Sequence, residues 1–311
     1  MKKRKISRIG AVAMATMLTV QGMGLPTAVF AADQSAVMRS DSNTQMSLKR
    51  NCLCEPVWKQ DRTFSEFDDN WRFYFGDASG AEQPTFDDSQ WRQLSLPHDY
   101  SIEQEYTQSG EAESAYLLGG TGWYRKNFTL DKAMEGKEVR LDFDGVYMNA
   151  TVYVNGHEVG THPYGYTPFS FDITDYVKVG EVNTIAVKVD HKTPSSRWYS
   201  GSGIYRSVYL TTTDKVHVDL NGVKVETPDL AKGNQNTNIK TTVLNESDAE
   251  KAVTVTHTMF EKGKDTKVGE VTTESKTVAA GQSVDVEATM NVKDAKMWSR
   301  KARISIQSAQ K

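Results

Sequence analysis

The densest run of chemistry-bearing side chains in this chain is Arg197-Trp198-Tyr199-Ser200-Gly201-Ser202-Gly203-Ile204-Tyr205-Arg206. Rings such as Trp198 and Tyr199 can cover the apolar face of a sugar, while a guanidinium fork such as Arg197 bonds its hydroxyls. The same rings could instead cap the core of a β-sandwich, because aromatic side chains pack more often than they bind. Gly201 and Gly203 permit positive φ or close backbone approach, as a tight loop between two strands requires. A second polar candidate is Asp99, in Leu96-Pro97-His98-Asp99-Tyr100. Its short carboxylate could accept hydrogen bonds from sugar hydroxyls or cap the next turn.

Other chemistries find little footing. His98, His157, His162 and His191 are not spaced four apart on a helix, and no cysteine or carboxylate pair completes a ligand set. Neither a metal nor another cofactor is expected. The run Gly119-Gly120-Thr121-Gly122 precedes a strand and lacks the lysine-serine ending of a phosphate loop. Asp87 and Asp88 read as turn formers and caps. No acidic pair sits where general acid/base work would place it, so no catalytic residue is expected within the chain. Cys52 and Cys54 lie too close in sequence for an ordinary bridge and too few for zinc, and read as an incidental pair.

The elements that must position these groups are strands. Asp69 to Asp77 alternates large rings with polar residues, as does Val139, Leu141, Phe143 against Arg140, Asp142, Asp144. That period of two marks half-buried strands. Further strands are expected at Gln93–Leu96, Trp123–Leu130, Val152–Val154, His157–Thr161, Ser170–Ile173 and Asn183–Asp190. Asn155-Gly156 predicts a two-residue hairpin, since both central positions need positive φ. Glu103 to Ala115 is polar and poor in β-formers, hence a loop. Beyond Asp214 the aromatics thin out into five β-rich runs: Val216–Glu226, Thr237–Leu244, Ala252–Phe260, Gly269–Thr277 and Ser283–Met290. The whole predicts an all-β chain of two consecutive sandwiches.

Six segments carry a family resemblance, in the family's order, across Phe67 to Thr213. They are Leu96 to Ile102, Gly119 to Lys126, Phe143 to Ala150, Val154 to His157, His162 to Phe169 and Arg197 to Arg206. The chain resembles the N-terminal part of glycoside hydrolase family 2, which includes β-galactosidases, β-glucuronidases and β-mannosidases. The resemblance implies a jelly-roll sugar-binding sandwich over residues 62–213, then an immunoglobulin-like sandwich over 214–311. It implies hydrolysis of β-glycosides by two glutamates on a C-terminal barrel. Retaining chemistry needs two carboxyl groups about 5 Å apart. A barrel takes about 250 residues, more than follow Trp298, so both glutamates are expected outside this chain. The sugar-facing places it carries over are Asp99, Arg197, Trp198 and Tyr199. Several relatives have aspartate where Arg197 stands, which bears on how hydroxyls are recognised. A β-galactoside is the expected sugar, and the barrel the expected packing partner. Met297-Trp298-Ser299 resembles a family segment that normally continues with proline, whereas here Arg300-Lys301-Ala302-Arg303 follows. A frameshift or premature stop would produce this, and a truncated second sandwich is the expectation.

At 311 residues, with 38% hydrophobic and 25% charged side chains, the composition is that of a globular protein. Met1 to Ala31 has a basic start (Lys2, Lys3, Arg4, Lys5), an apolar stretch from Ala11 to Phe30 and a small-residue exit. It predicts a signal peptide cut after Ala31, hence a secreted or cell-surface protein. Residues 32–61 read as a flexible leader. Losing 1–31 removes five basic residues and no acidic ones, shifting the formal charge from −3 to −8. That balance disfavours nucleic acid and anionic membrane as partners and suits neutral carbohydrate. Besides the glycosidase reading, a free-standing carbohydrate-binding module and a surface spacer protein fit the same elements. Galactoside binding would mark the former, and a wall-anchoring signal or further repeats the latter.

Overall fold

The computed structural model describes residues 62–230, 235–261 and 265–292, with the backbone of 306–310. The expected signal peptide, the leader, the cysteine pair and the Met297 to Arg303 segment lie outside the described residues.

Ten strands build the first sandwich: β1 (Arg62–Glu66), β2 (Trp71–Phe75), β3 (Arg92–Leu94), β4 (Gly120–Thr129), β5 (Glu138–Phe143), β6 (Ala150–Val154), β7 (His157–His162), β8 (Phe169–Asp172), β9 (Val182–His191) and β10 (Val208–Thr213). They form antiparallel sheets of order β1-β10-β5-β8 and β3-β2-β4-β9-β6-β7. The period-2 pattern of β5 is realised residue by residue, with Val139, Leu141 and Phe143 buried. They meet Trp71, Tyr124, Ile185, Val187 and Val189 of the other sheet in one core. Each such side chain contributes about 1.5–3 kcal/mol on burial. Asn155 and Gly156 turn β6 into β7 with φ of 52° and 87°, as the hairpin reading requires.

One stretch differs from the sequence reading. The β4 strand begins at Gly120 rather than Trp123, so the glycine run lies inside the ladder. A Cβ on Gly122 would stand 2.8 Å from the Tyr100 ring and 3.0 Å from Phe73, which explains why side chains are absent there. Residues 103–115 are the expected loop, held by turn bonds such as Gly110 N–H to Thr107 O at 3.0 Å and by Thr107 N–H to Tyr116 O at 3.0 Å.

The outer face of the six-stranded sheet is covered by residues 77–91. Under this cover Arg125 is 1% exposed. Its Nε donates to Asp88 Oδ2 at 2.8 Å, and its Nη1 donates to the carbonyls of Ala81 and Gln83. Arg72 approaches the same carboxylate at 3.4 Å. Asp87 is the turn former expected, accepting from Ser89 N–H at 3.0 Å. Asp88 is an ionic anchor instead.

The second sandwich holds β11 (Val216–Glu226), β12 (Asn236–Asn245), β13 (Lys251–Val253), β14 (Thr256–Glu261), β15 (Lys267–Thr272), β16 (Lys276–Val278), β17 (Gln282–Asn291) and β18 (Ile306–Gln310). The expected third and fourth runs are each cut in two. The cuts fall together: Thr273 N–H donates to Val255 O at 2.9 Å, and Val255 N–H donates to Thr273 Oγ1 at 3.0 Å. There the chain leaves the β14–β15 pairing for a separate β13–β16 pair.

His257 on β14 is fully buried, with its Nδ1 lacking any hydrogen-bond partner among the described residues. Burial holds its imidazole below the ordinary histidine range. Unfolded histidine titrates near 6.5. Stability is therefore full above that pH and falls as the pH drops through 6.5 toward the lowered folded value, because only the unfolded chain takes the proton. A His257→Leu variant is expected to flatten the urea-unfolding pH slope below about pH 6.5 by up to ~1.4 kcal/mol per pH unit. An unchanged slope would contradict this.

Candidate functional site

The loops that follow β3, β5, β7 and β9 meet beside the start of β4 and carry the site. Asp99 follows β3. Its Oδ1 accepts from Ser101 N–H at 3.0 Å and Ser202 N–H at 2.8 Å, and its Oδ2 accepts from the Tyr199 hydroxyl. Both oxygens are thus engaged in joining two loops, which is the capping alternative carried across to a distant segment. Burial, reinforced by Asp99, pushes the Tyr199 hydroxyl well above its ordinary range, so it stays protonated and donating.

Gly201 and Gly203 have φ of 75° and 104°. Gly203 exchanges two backbone hydrogen bonds with Tyr147, at 2.8 and 2.9 Å, tying the β9–β10 loop to the β5–β6 loop. A Cβ at Gly203 would lie 2.2 Å from Tyr124 Oη. The loop between β7 and β8 joins from the other side: Tyr205 donates to Gly165 O at 2.7 Å, and Trp198 Nε1 donates to Tyr166 Oη at 2.9 Å.

What remains open to solvent is aromatic. Trp198 is 60% exposed, Tyr164 56% and Tyr199 39%. Tyr164 and Trp198 flank Tyr166, at centroid separations of 5.6 and 6.4 Å. Arg197 is exposed and makes no hydrogen bond or ion pair with another described residue. Of the four residues singled out in the sequence, Asp99 and Tyr199 touch and Trp198 stands beside them, while Arg197 has no protein partner among the described residues. The sandwich-capping alternative does not hold for Trp198. Tyr147, Tyr166, His191 and Ser195 were not assigned to the site by sequence reasoning. The family-like segments Phe143 to Ala150 and His162 to Phe169 contain Tyr147 and Tyr166, whereas His191 and Ser195 lie outside every such segment.

Three of the four histidines considered as metal ligands have other neighbours. His98 Nδ1 meets Tyr124 Oη at 2.8 Å and its Nε2 meets Glu103 at 3.1 Å. His162 meets Thr167 at 3.1 Å, and His157 lies against the Tyr176 ring. Among the described residues no group of three or more His, Cys, Asp or Glu is placed to hold a metal ion.

An antiparallel sandwich that presents aromatic and guanidinium groups on its end loops is the architecture of a carbohydrate-contacting domain. Residues 64–214 belong to the sugar binding domain of glycosyl hydrolases family 2. The chain is 44% identical over 241 residues to a β-galactosidase, BoGH2A, of Bacteroides ovatus, covering 76% of this chain and 28% of that protein. A putative β-glucuronidase of Formosa agariphila is 40% identical over 185 residues, covering 58% of this chain and 18% of that protein. Among solved structures, a glycosyl hydrolase family 2 member from Bacteroides cellulosilyticus superposes with a TM-score of 0.75 at 35% identity, covering 79% of this chain and 33% of that one. The chain therefore spans about a quarter of the length of the curated β-galactosidase it matches.

Proposed function

We propose that this chain is the N-terminal, sugar-contacting portion of a secreted glycosidase of the β-galactosidase type. The observation that carries the reading is the loop end where Trp198 and Tyr199 are exposed beside Arg197, which has no partner among the described residues. Trp198 and Tyr199 would cover an apolar sugar face, and the Arg197 fork would bond hydroxyls. Asp99 orients Tyr199 and Ser202 rather than reaching for sugar with a free oxygen. Cleavage of the glycosidic bond requires an acid/base and a nucleophilic carboxylate about 5 Å apart. These would come from a barrel packed against the aromatic loop end. Galactoside is favoured over glucuronide by the higher identity of the β-galactosidase match, 44% against 40%. Export rests on the basic start and apolar stretch of residues 1–31. N-terminal sequencing of protein recovered from the culture medium is expected to begin at Ala32; a retained Met1 would overturn export by cleavage.

Calorimetric titration with methyl β-galactoside, and in parallel with methyl β-glucuronide, tests the sugar. Saturable galactoside binding is expected, and Trp198→Ala should weaken it roughly tenfold, the value of one stacked ring. Because Trp198 is largely exposed, its removal should leave the melting temperature unchanged. Tighter binding of the glucuronide, or full affinity in the variant, would reject this assignment.

A further inference from the structure

The loop carrying Arg197, Trp198 and Tyr199 leaves β9 after His191, and this imidazole touches both of its ends. His191 is 4% exposed. Its Nε2 lies 2.9 Å from Ser195 Oγ, where the loop begins. Its Nδ1 lies 2.5 Å from Ser202 Oγ, where the loop ends. The ring stands edge-on to Tyr147, with centroids 4.9 Å apart. A Cβ on Gly119 would meet the His191 ring at 2.8 Å, so the opposite wall is bare backbone.

The hydrogen-bond donors fix one direction through this cluster. Tyr147 donates its hydroxyl to Ser195 Oγ at 3.1 Å, leaving the Ser195 proton for His191 Nε2. At the far end Ser101 donates to the Leu118 carbonyl at 3.2 Å, so Ser101 accepts from Ser202. Ser202 Oγ must then receive its own hydrogen bond from His191 Nδ1–H. The chain of donors runs from Tyr147 through Ser195, His191, Ser202 and Ser101 to Leu118. It is satisfied by one tautomer of a neutral ring.

We infer that His191 is the positioning residue of the sugar-facing loop: a neutral imidazole, protonated on Nδ1, that clasps Ser195 and Ser202 and so holds Arg197, Trp198 and Tyr199 in their binding arrangement. The sugar-facing role of the loop rests on the function proposed above, whereas the clasp itself rests on these contacts. Among the described residues the apex is otherwise held by Trp198 meeting Tyr166 Oη and the Ser196 hydroxyl, by Tyr199 meeting Asp99, and by the Tyr147 hydroxyl beside Ser196 and Ser200. The carbonyl of Trp198 returns the Ser196 contact within the same turn. A neutral ring suits the site, because burial holds His191 below the ordinary histidine range against the opposing pull of Asp99 and Asp190.

The test uses this chain with three variants, His191→Ala, His191→Asn and His191→Gln. The amide of Asn can replace the Nδ1–H donor toward Ser202, and that of Gln can reach toward Ser195 in place of Nε2. Nitrogen-15 spectra of the wild-type imidazole are expected to show a neutral ring with the proton on Nδ1. Hydrogen exchange of the amides of residues 196–202 should rise at least tenfold in His191→Ala while those of β4 and β9 keep their protection. His191→Asn should recover part of that protection. Methyl β-galactoside affinity should fall with loop protection across the series. A ring protonated on Nε2 would overturn the clasp, as would loop exchange unchanged in His191→Ala, or exchange raised equally throughout both sheets. Failure of the wild type to bind galactoside would overturn the sugar reading alone, because the ring spectrum and the exchange data decide the clasp without any sugar.

Discussion

Asp88→Ala is expected to cost the first sandwich about 3–5 kcal/mol, the penalty for leaving a buried charge without its partner. Arg125 is sealed beneath residues 77–91, and Asp88 is the one carboxylate paired with it among the described residues. The two carbonyls it also touches carry no net charge. In a domain of this size the loss should lower the melting temperature by roughly 10 °C. Near-ultraviolet circular dichroism, which sees Trp91 in the cover and Trp123 on β4 beneath it, would follow it. Replacing the pair together, Arg125→Met with Asp88→Leu, should cost less than Asp88→Ala alone, since no charge is then stranded. A double variant less stable than the single one would refute this account.

Gly203→Ala is expected to be comparably damaging for a different reason. The backbone there has φ of 104°, and the added methyl would enter 2.2 Å from Tyr124 Oη and 3.0 Å from the His98 carbonyl. Strain of about 1–3 kcal/mol and overpacking of a further 1–3 kcal/mol combine. Tyr124 belongs to the main core, so the loss should be global and appear as a lower urea midpoint. Gly201→Ala provides the contrast. Its Cβ would press on Asp99 Oδ2 at 2.9 Å, at the loop rather than in the core. That variant should lose galactoside affinity with a smaller change in midpoint. Equal midpoints for the two variants would show that the Tyr124 contact is not what matters.

Local patterns in the sequence predict local structure well. The alternation of Val139, Leu141 and Phe143 and the Asn155-Gly156 turn each depend on a few adjacent residues, and both are realised. The six family-like segments fall on β3 to β10 and their loops, which is why the sandwich was legible. Partnerships across the chain were not. Asp88 looks like any turn aspartate until Arg125, 37 residues on, is placed against it. The bare backbone at Gly122 answers to Tyr100 and Phe73, and nothing beside it in sequence indicates this. Asp99 was equally readable as a cap or a sugar ligand, and the choice turns on Tyr199 and Ser202, about a hundred residues away. In the sequence His191 stood out only as a histidine without a metal-ligand set, because its two serines become a clasp only when the loop is folded back on itself.

The pairing of β1 with β10 sets Arg62 opposite Thr213, so the first described strand hydrogen-bonds with the last strand of its sandwich. The sheet cannot be completed while the chain is being made until residue 213 has emerged. Assembly governed by such distant pairings is slow compared with helical folding, because the loop-closure entropy is spent before the contacts form. The edge strand, with Thr63 to Glu66 all exposed, would dock after the other sheet strands are in place. Shortening the chain from either side of the 62–213 span would thus remove a partner from the same seam, and cuts at the two ends should give the same folding defect.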